Sequence, residues 1–536
     1  MMTSRIEATL VWQLVVRRLT AAFFLVALVA CSSTPTRIPA EHLSSAAVPV
    51  SEQTTLGQIA LASKPPPGMS GFRLMPLGTF SLDTRVQLAR RAQATLDVQY
   101  YHFENDETGR WLLRALRDAA VRGVRVRLLL DDLYTGGNDP LWLSFAAHPN
   151  VQVRLFNPFC CSREKGQLSR FLAAPGQWSR LNHRMHNKLM IADGAMAVIG
   201  GRNVANEYYL RGVTGNFIDV DAFTIGFILP PLQALFDRYW NADVVYSLQS
   251  IARTDMDGPA LLAHFESVTG PATTPEPAPL PPNDILGYGP IGEDLDGGKL
   301  GLIWGDAYVF ADHPDKPFDG TPGGELMDTS VTYNVIEAMM KAQKELVASS
   351  PYFVPGEKGM ALVRRMRDRG VKMIFMTNSL GSTDEPIVHA GYSRYREEML
   401  DLGVDLYELS SSRVKKNRRN YLFGSSLGRL HAKLVVIDRR VSFVGSMNLD
   451  PRSATINTEL GAVIDSPELA RELLRIIDID RLQSTYRVRK AANGQGLEWL
   501  GADNDQEIVL TQEPDTTAWL RLKVQLLRPF VPEEEL

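Results

Sequence analysis

The chain has 536 residues, 45% of them apolar and 22% charged, and a formal net charge of -4. That length suits two to four domains with large buried cores, and the composition excludes a disordered or fibrous protein. An acidic overall balance gives no global basic field, which argues against a nuclease and against a nucleic-acid partner.

At the N-terminus Arg17 and Arg18 precede an apolar run over residues 19–30, shorter than the roughly 20 residues needed to cross a bilayer. The run ends Leu28-Val29-Ala30-Cys31, which resembles a bacterial lipobox. Residues 1–30 are therefore expected to be a lipoprotein signal peptide and Cys31 the lipidated first residue of the mature chain. Such an anchor places the protein in the cell envelope, facing the periplasm, and Ser32 after the cysteine resembles the pattern released to the outer membrane. The polar stretch over 31–67 then reads as a flexible tether.

Residues 68–250 open with RVQLARRAQATLDVQYYHF and GRWLLRALRDAAVRGVRVRLLLDD, each a helix running into a buried strand by its apolar spacing. The adjacent Cys160 and Cys161 are about 3.8 Å apart at Cα, too close for an unstrained disulfide, and read as unpaired thiols. No Cys/His spacing suggests zinc and no acidic cluster demands magnesium, so no metal and no cofactor is expected. The stretch 251–325 contains the proline-rich GPATTPEPAPLPPND and reads as a linker and inserted region; Trp304 and the stretch from Asp312 to Lys316 read as ordinary loop packing, with a cleft wall as the alternative.

The helix and strand pattern returns over 326–480, in VTYNVIEAMMKAQKELVASSPYFV and GMALVRRMRDRGVKMIFMTN. Alternating helix and strand imply an α/β sandwich with a mixed sheet in each half. Ahead of the second motif, Arg413, Lys415, Lys416, Arg418 and Arg419 form a basic run: a solvated loop, or a contact for anionic headgroups. The C-terminal extension, 481–536, ends in WLRLKVQLLRPFVPEEEL, with Arg521, Lys523 and Arg528 among apolar residues. This helix-like tail either packs on the second half or rests on a membrane surface.

One short pattern occurs twice, HNKLMIAD from His186 to Asp193 and HAKLVVID from His431 to Asp438, followed by GGRN ending at Asn203 and GSMN ending at Asn448. Each reads as strand, tight turn, strand, with the aspartate at the turn, so Asp193 and Asp438 are expected to shape the turn. A neutral imidazole is a nucleophile or proton carrier near neutral pH, and an ammonium fixes an anion; together they suit a phosphate ester. Two copies imply two homologous halves about a pseudo-twofold axis, with one cleft at their interface.

The pair resembles the HKD motifs of the phospholipase D superfamily, and the flanks RMHNKLMIADG, IGGRN with EYY, and HAKLVVID with FVGSMNLDPRSATINTELG are similar to its bacterial cardiolipin synthase branch. The resemblance implies a metal-independent phosphatidyl transferase that makes cardiolipin from phosphatidylglycerol and a second lipid alcohol, working on phospholipid at a membrane surface. Hydrolysis by water is the nearest alternative; a nuclease or a non-catalytic lipid-binding protein is further off. It also implies that one histidine becomes a phosphohistidine, His186 by the superfamily pattern, while His431 acts as acid and base. Lys188, Lys433, Asn203 and Asn448 would hold the phosphoryl oxygens. An acid downstream of each motif would orient each imidazole: Glu459 for His431, and Asp219 or Asp221 for His186.

Overall fold

The computed structural model describes residues 44–63, 65–159, 162–316, 330–416, 427–494, 496–503 and 506–536. Cys31 and the signal peptide, Cys160 with Cys161, and Arg418 with Arg419 lie outside the described residues.

The first half contributes β1 (Ser70–Met75), β2 (Thr95–Tyr100), β3 (Arg125–Asp131), β4 (Val151–Phe156), β5 (Leu189–Ala192), β6 (Met196–Gly200), β7 (Gly215–Ile218), β8 (Asp221–Gly226) and β9 (Val245–Ser247). The second contributes β10 (Ile303–Ala311), β11 (Glu345–Ser349), β12 (Lys372–Asn378), β13 (Asp405–Leu409), β14 (Leu427–Leu430), β15 (Leu434–Ile437), β16 (Val441–Gly445), β17 (Leu460–Asp465) and β18 (Thr485–Lys490), extended by β19 (Leu497–Asp503) and β20 (Gln506–Leu510). In the first half the strands run in the order β1-β8-β6-β5-β2-β3-β4-β9, and only the β2/β3 and β3/β4 pairs are parallel. The second half repeats this order as β10-β17-β16-β15-β11-β12-β13-β18, again parallel only at β11/β12 and β12/β13. The expected mixed sheets in two homologous halves are therefore present, and the antiparallel β1/β10 pair joins them edge to edge.

Strand alternation explains the layers. Leu189 and Ile191 of β5, with Leu434 and Val436 of β15, point into one apolar cluster shared by both halves. Their neighbours Met190 and Ala192 point instead under the helices of the first half, and Val435 and Ile437 under those of the second. Both faces of each motif strand are thus buried, which is why these strands read as unbroken apolar runs.

Three boundaries differ from the sequence reading. The tether is shorter than 31–67: Ala47 N donates to Asp237 (2.7 Å), and helix Thr55–Ala62 buries Leu56 and Ala60 against the first half. Within the supposed linker, β10 is the counterpart of β1, with Trp304 in register with Gly71, so the second half begins well before residue 326. The extension after 480 supplies β18, β19 and β20, which continue the second sheet beyond β13, before its terminal helix, Ala518–Leu527.

Candidate active site

His186 and His431 sit just ahead of β5 and β15 rather than within them, and the same device holds both. Met185 makes a parallel bridge to Thr458, and His186 N donates to Thr458 O (2.8 Å). In the other copy β14 runs parallel to β7 with Leu430 opposite Ile218, and His431 N donates to Ile218 O (2.7 Å). Each motif is thereby laid beside the segment that carries the acid of the opposite half.

The acids follow from that geometry. His186 Nδ1 lies 2.9 Å and 3.1 Å from the two carboxylate oxygens of Glu459. His431 Nδ1 lies 2.6 Å from Asp219 Oδ2. The pairing expected from the sequence is therefore crossed: Glu459 serves His186, not His431, and Asp219 serves His431, not His186. The reason is the parallel bridging just described, because the residue after Thr458 is Glu459 and the residue after Ile218 is Asp219. Asp221 reaches neither histidine; its carboxylate is enclosed by Arg85 (3.0 Å), Arg202 (3.4 Å) and the Ser81 hydroxyl (2.6 Å).

With Nδ1 of each ring on a carboxylate, Nε2 is the nitrogen that carries no carboxylate, and on His431 it lies 3.2 Å from Lys433 Nζ. Lys188 and Lys433 each donate through Nζ to the carbonyl of their own histidine (2.6 Å in both), and Lys433 Nζ also lies 3.0 Å from His431 Nδ1. Burial pushes both imidazoles well below their ordinary range, reinforced by both lysines, whose charges reach both rings. Burial likewise lowers Lys188 well below its usual value and Lys433 to about 8. Two buried ammonium groups facing two buried imidazoles make a pocket whose desolvated cations are relieved by an anion. Burial raises Glu459 to about 7, against the pull of the Lys188 ammonium and the hydroxyls of Ser446 and Ser453.

The asparagines differ in what holds them. Asn203 Nδ2 donates to the Tyr208 hydroxyl (2.8 Å), and its oxygen accepts from His102 N (3.3 Å). Asn448 N donates to Ser453 Oγ (3.2 Å), while its side-chain oxygen is buried without a protein partner. The turn aspartates stand away from the cleft. Asp193 accepts from the backbone N–H groups of Gln93, Ala94 and Thr95, and Asp438 from those of Gln343, Lys344 and Glu345. Both sit at positive φ, 51° and 50°.

Several neighbours of the histidines lie outside the repeated motif. Ser446 and Ser453 both donate to Glu459, the latter at 2.9 Å, and Asp312, read earlier as loop packing, accepts from Glu459 N (2.9 Å). The rings of Tyr101 beside His186, and of Tyr208 and Phe217 beside His431, each lie 5.0 Å away by centroid. The available clue was position: Tyr208 and Ser453 stand at the same distance past Asn203 and Asn448. Arg413 is no headgroup contact: it is buried over the Tyr486 ring and donates to Ala502 O (2.8 Å), whereas Lys415 is exposed.

The family described as "Cardiolipin synthase, PLD-like domain" matches residues 86–222 and 335–481. "Cardiolipin synthase C" of Escherichia coli (strain K12) is 36% identical over 474 residues, which cover 86% of this chain and 95% of that protein. A "Cardiolipin synthase" of Staphylococcus aureus (strain Mu50) is 24% identical over 426 residues, 79% of this chain and 69% of that one. Among solved structures, phosphatidylserine synthase from Haemophilus influenzae Rd KW20 shares the fold at 12% identity, with a TM-score of 0.54 over 89% of this chain and 97% of that one. Duplicated halves that each lend a motif histidine to one cleft are the architecture of a phospholipase D-type protein. Within that class, the chain belongs to the cardiolipin synthase branch of the phospholipase D superfamily.

Proposed function

We propose that the chain is a phosphatidyl transferase that forms cardiolipin from phosphatidylglycerol and a second phospholipid alcohol. The observation that carries this reading is the pair of imidazoles from opposite halves, each with Nδ1 on a carboxylate, beside the buried side chains of Lys188 and Lys433. In the first step His186 Nε2 bonds to phosphorus, the bond from phosphorus to the headgroup oxygen breaks, and His431 gives that oxygen its proton. In the second, His431 removes a proton from the acceptor hydroxyl, the acceptor oxygen bonds to phosphorus, and the N–P bond to His186 breaks. Lys188 and Lys433 hold the non-bridging oxygens as charge builds on the five-coordinate centre, with Asn203 and Asn448 at its sides. Asp193 and Asp438 tie the turns to the starts of β2 and β11 and take no part in the chemistry.

The same reading places the enzyme on the periplasmic side of the envelope, held by acyl chains on Cys31. Two domains, 68–250 and a second that starts at β10, carry the cleft between them. Incubation of the full chain with labelled phosphatidylglycerol, alone and with phosphatidylethanolamine or glycerol, tests the activity by product mass. Labelled cardiolipin with release of glycerol is expected; phosphatidic acid as the sole product would instead mean hydrolysis, and no turnover would refute the assignment. Palmitate labelling that persists in Cys31→Ser would remove the anchor alone.

A further inference from the structure

The terminal helix Ala518–Leu527 and the turn after it bury one side and leave the other bare. Val524 is buried and Leu520 packs beside it under the second half. Trp519, Leu522, Leu526 and Phe530 are instead 71, 46, 61 and 82% exposed. Their spacing of three, four and four residues puts them on one face of the helix and its continuation. Between Ala518 and Val531 the chain carries Arg521, Lys523 and Arg528 and no acid, although the whole chain is acidic.

The buried side of the helix leads towards the site. The helix packs on Pro386–Tyr392, which begins directly after Asp384 and Glu385; Asp384 accepts from the Tyr352 hydroxyl (2.8 Å), and its charge reaches Lys433 and Tyr208. Beyond the helix the tail is pinned across both halves. Glu533 is held by Arg394 (2.9 Å) and Glu535 by Asn182 of the first half (2.6 Å), while Arg452, whose charge reaches His186, donates to Asn182 O (2.6 Å). Trp178, in the short helix that ends at Asn182, is also 56% exposed.

We propose that this face is a docking surface for an anionic phospholipid bilayer, which seats the mouth of the cleft against the lipid. The proposal deepens the transferase reading and rests on it, since substrates that reside in a bilayer must enter the cleft from its surface. An exposed apolar stripe with Trp and Phe and with Lys523 at its edge suits a helix that lies in the headgroup region, its rings at the acyl boundary and its basic side chain on anionic headgroups.

The test uses the full chain carrying Cys31→Ser, so that no acyl chain contributes. Co-sedimentation is measured with vesicles of phosphatidylcholine alone and with phosphatidylglycerol added, at low and high salt. Binding should favour the anionic vesicles and weaken with salt. Adding Trp519→Glu with Phe530→Glu should weaken it by about 100-fold or more, since two large apolar side chains no longer enter the lipid. Replacing Lys523 by Gln should remove about fivefold on anionic vesicles only. Turnover of monomeric short-chain phosphatidylglycerol should stay the same in all variants, which also reports folding, while turnover of vesicular substrate drops. A double-Glu variant that turns over the short-chain substrate yet binds vesicles like its parent would overturn the docking surface. So would a dimer dissociated by those substitutions with vesicle binding unchanged. An unsubstituted chain inactive on short-chain substrate would refute the transferase reading instead.

Discussion

The pockets of His186 and His431 are built on the same backbone and finished differently. Glu459 and Asp219 occupy equivalent positions, one residue past the bridge that holds the opposite histidine. Glu459 receives the hydroxyls of Ser446 and Ser453 and has its backbone N–H fixed by Asp312. At the matching places the first half has Gly201 and Tyr208. A Cβ at Gly201 would lie 2.3 Å from Asp219 Oδ1, so the glycine leaves room for the carboxylate where the serine bonds to it, and Tyr208 turns its hydroxyl to Asn203 instead. Asp219 takes Val220 N (2.8 Å) and the imidazole at 2.6 Å. The duplication thus fixes where imidazole and acid meet, while the residues around each acid set how strongly it is solvated by the protein.

The comparison breaks most severely at the histidines. His186→Ala and His431→Ala should each lower turnover by at least about 10³-fold, because each removes a nucleophile or a proton carrier; circular dichroism should show the fold retained. Only one of the two variants can still form a phosphoenzyme, and mass spectrometry of quenched enzyme should find it in His431→Ala. Label on phosphorus trapped in His186→Ala would exchange the two roles.

The acids come next. Glu459→Gln and Asp219→Asn keep the shape but lose the charge that steadies the imidazolium, and each should cost about 10- to 100-fold in kcat. Ser446→Ala should cost only about fivefold, one hydrogen bond to a charged group among several, and has no counterpart to delete in the first half.

Lys433 sharpens the difference in pH. An ammonium lowered to about 8 is cationic below that pH and neutral above it, so kcat should fall as pH rises past about 8, far short of the ordinary 10.5. Lys433→Arg should move that limb out of the accessible range. Between about 8 and 10.5 the unfolded chain holds the extra proton, so this residue's contribution to stability rises with pH across that window; urea titrations of the native chain and Lys433→Met at pH 7.5 and 10 would measure it.

The smallest effects belong to the turns. Asp193 is buried and Asp438 partly exposed, though each accepts three backbone N–H groups. Asp193→Ala should therefore cost about 2–3 kcal/mol of stability and Asp438→Ala about 1 kcal/mol, with turnover per folded molecule unchanged.

The sequence made the duplication legible because both motif strands are buried on two faces, and the turn aspartates because positive φ favours that residue in a tight turn. It also placed the acids near the site. What it hid was their exchange: Glu459 is nearer in sequence to His431 and Asp219 to His186, and only the parallel bridges from Met185 to Thr458 and from Leu430 to Ile218 carry each acid across the interface. Asp312 and β10 were concealed for a related reason. They follow a proline-rich stretch that offers no periodicity, and their partners, Glu459 and β17, lie far along the chain.

The crossed pairing is the centre of the account, and imidazole NMR measures it directly. With histidines labelled at ¹⁵N and assigned through His186→Asn and His431→Asn, Glu459→Gln should move the titration and Nδ1 shift of His186 and leave His431 close to its parent values, and Asp219→Asn should do the reverse. A Glu459→Gln spectrum in which His431 moves and His186 stays would contradict it.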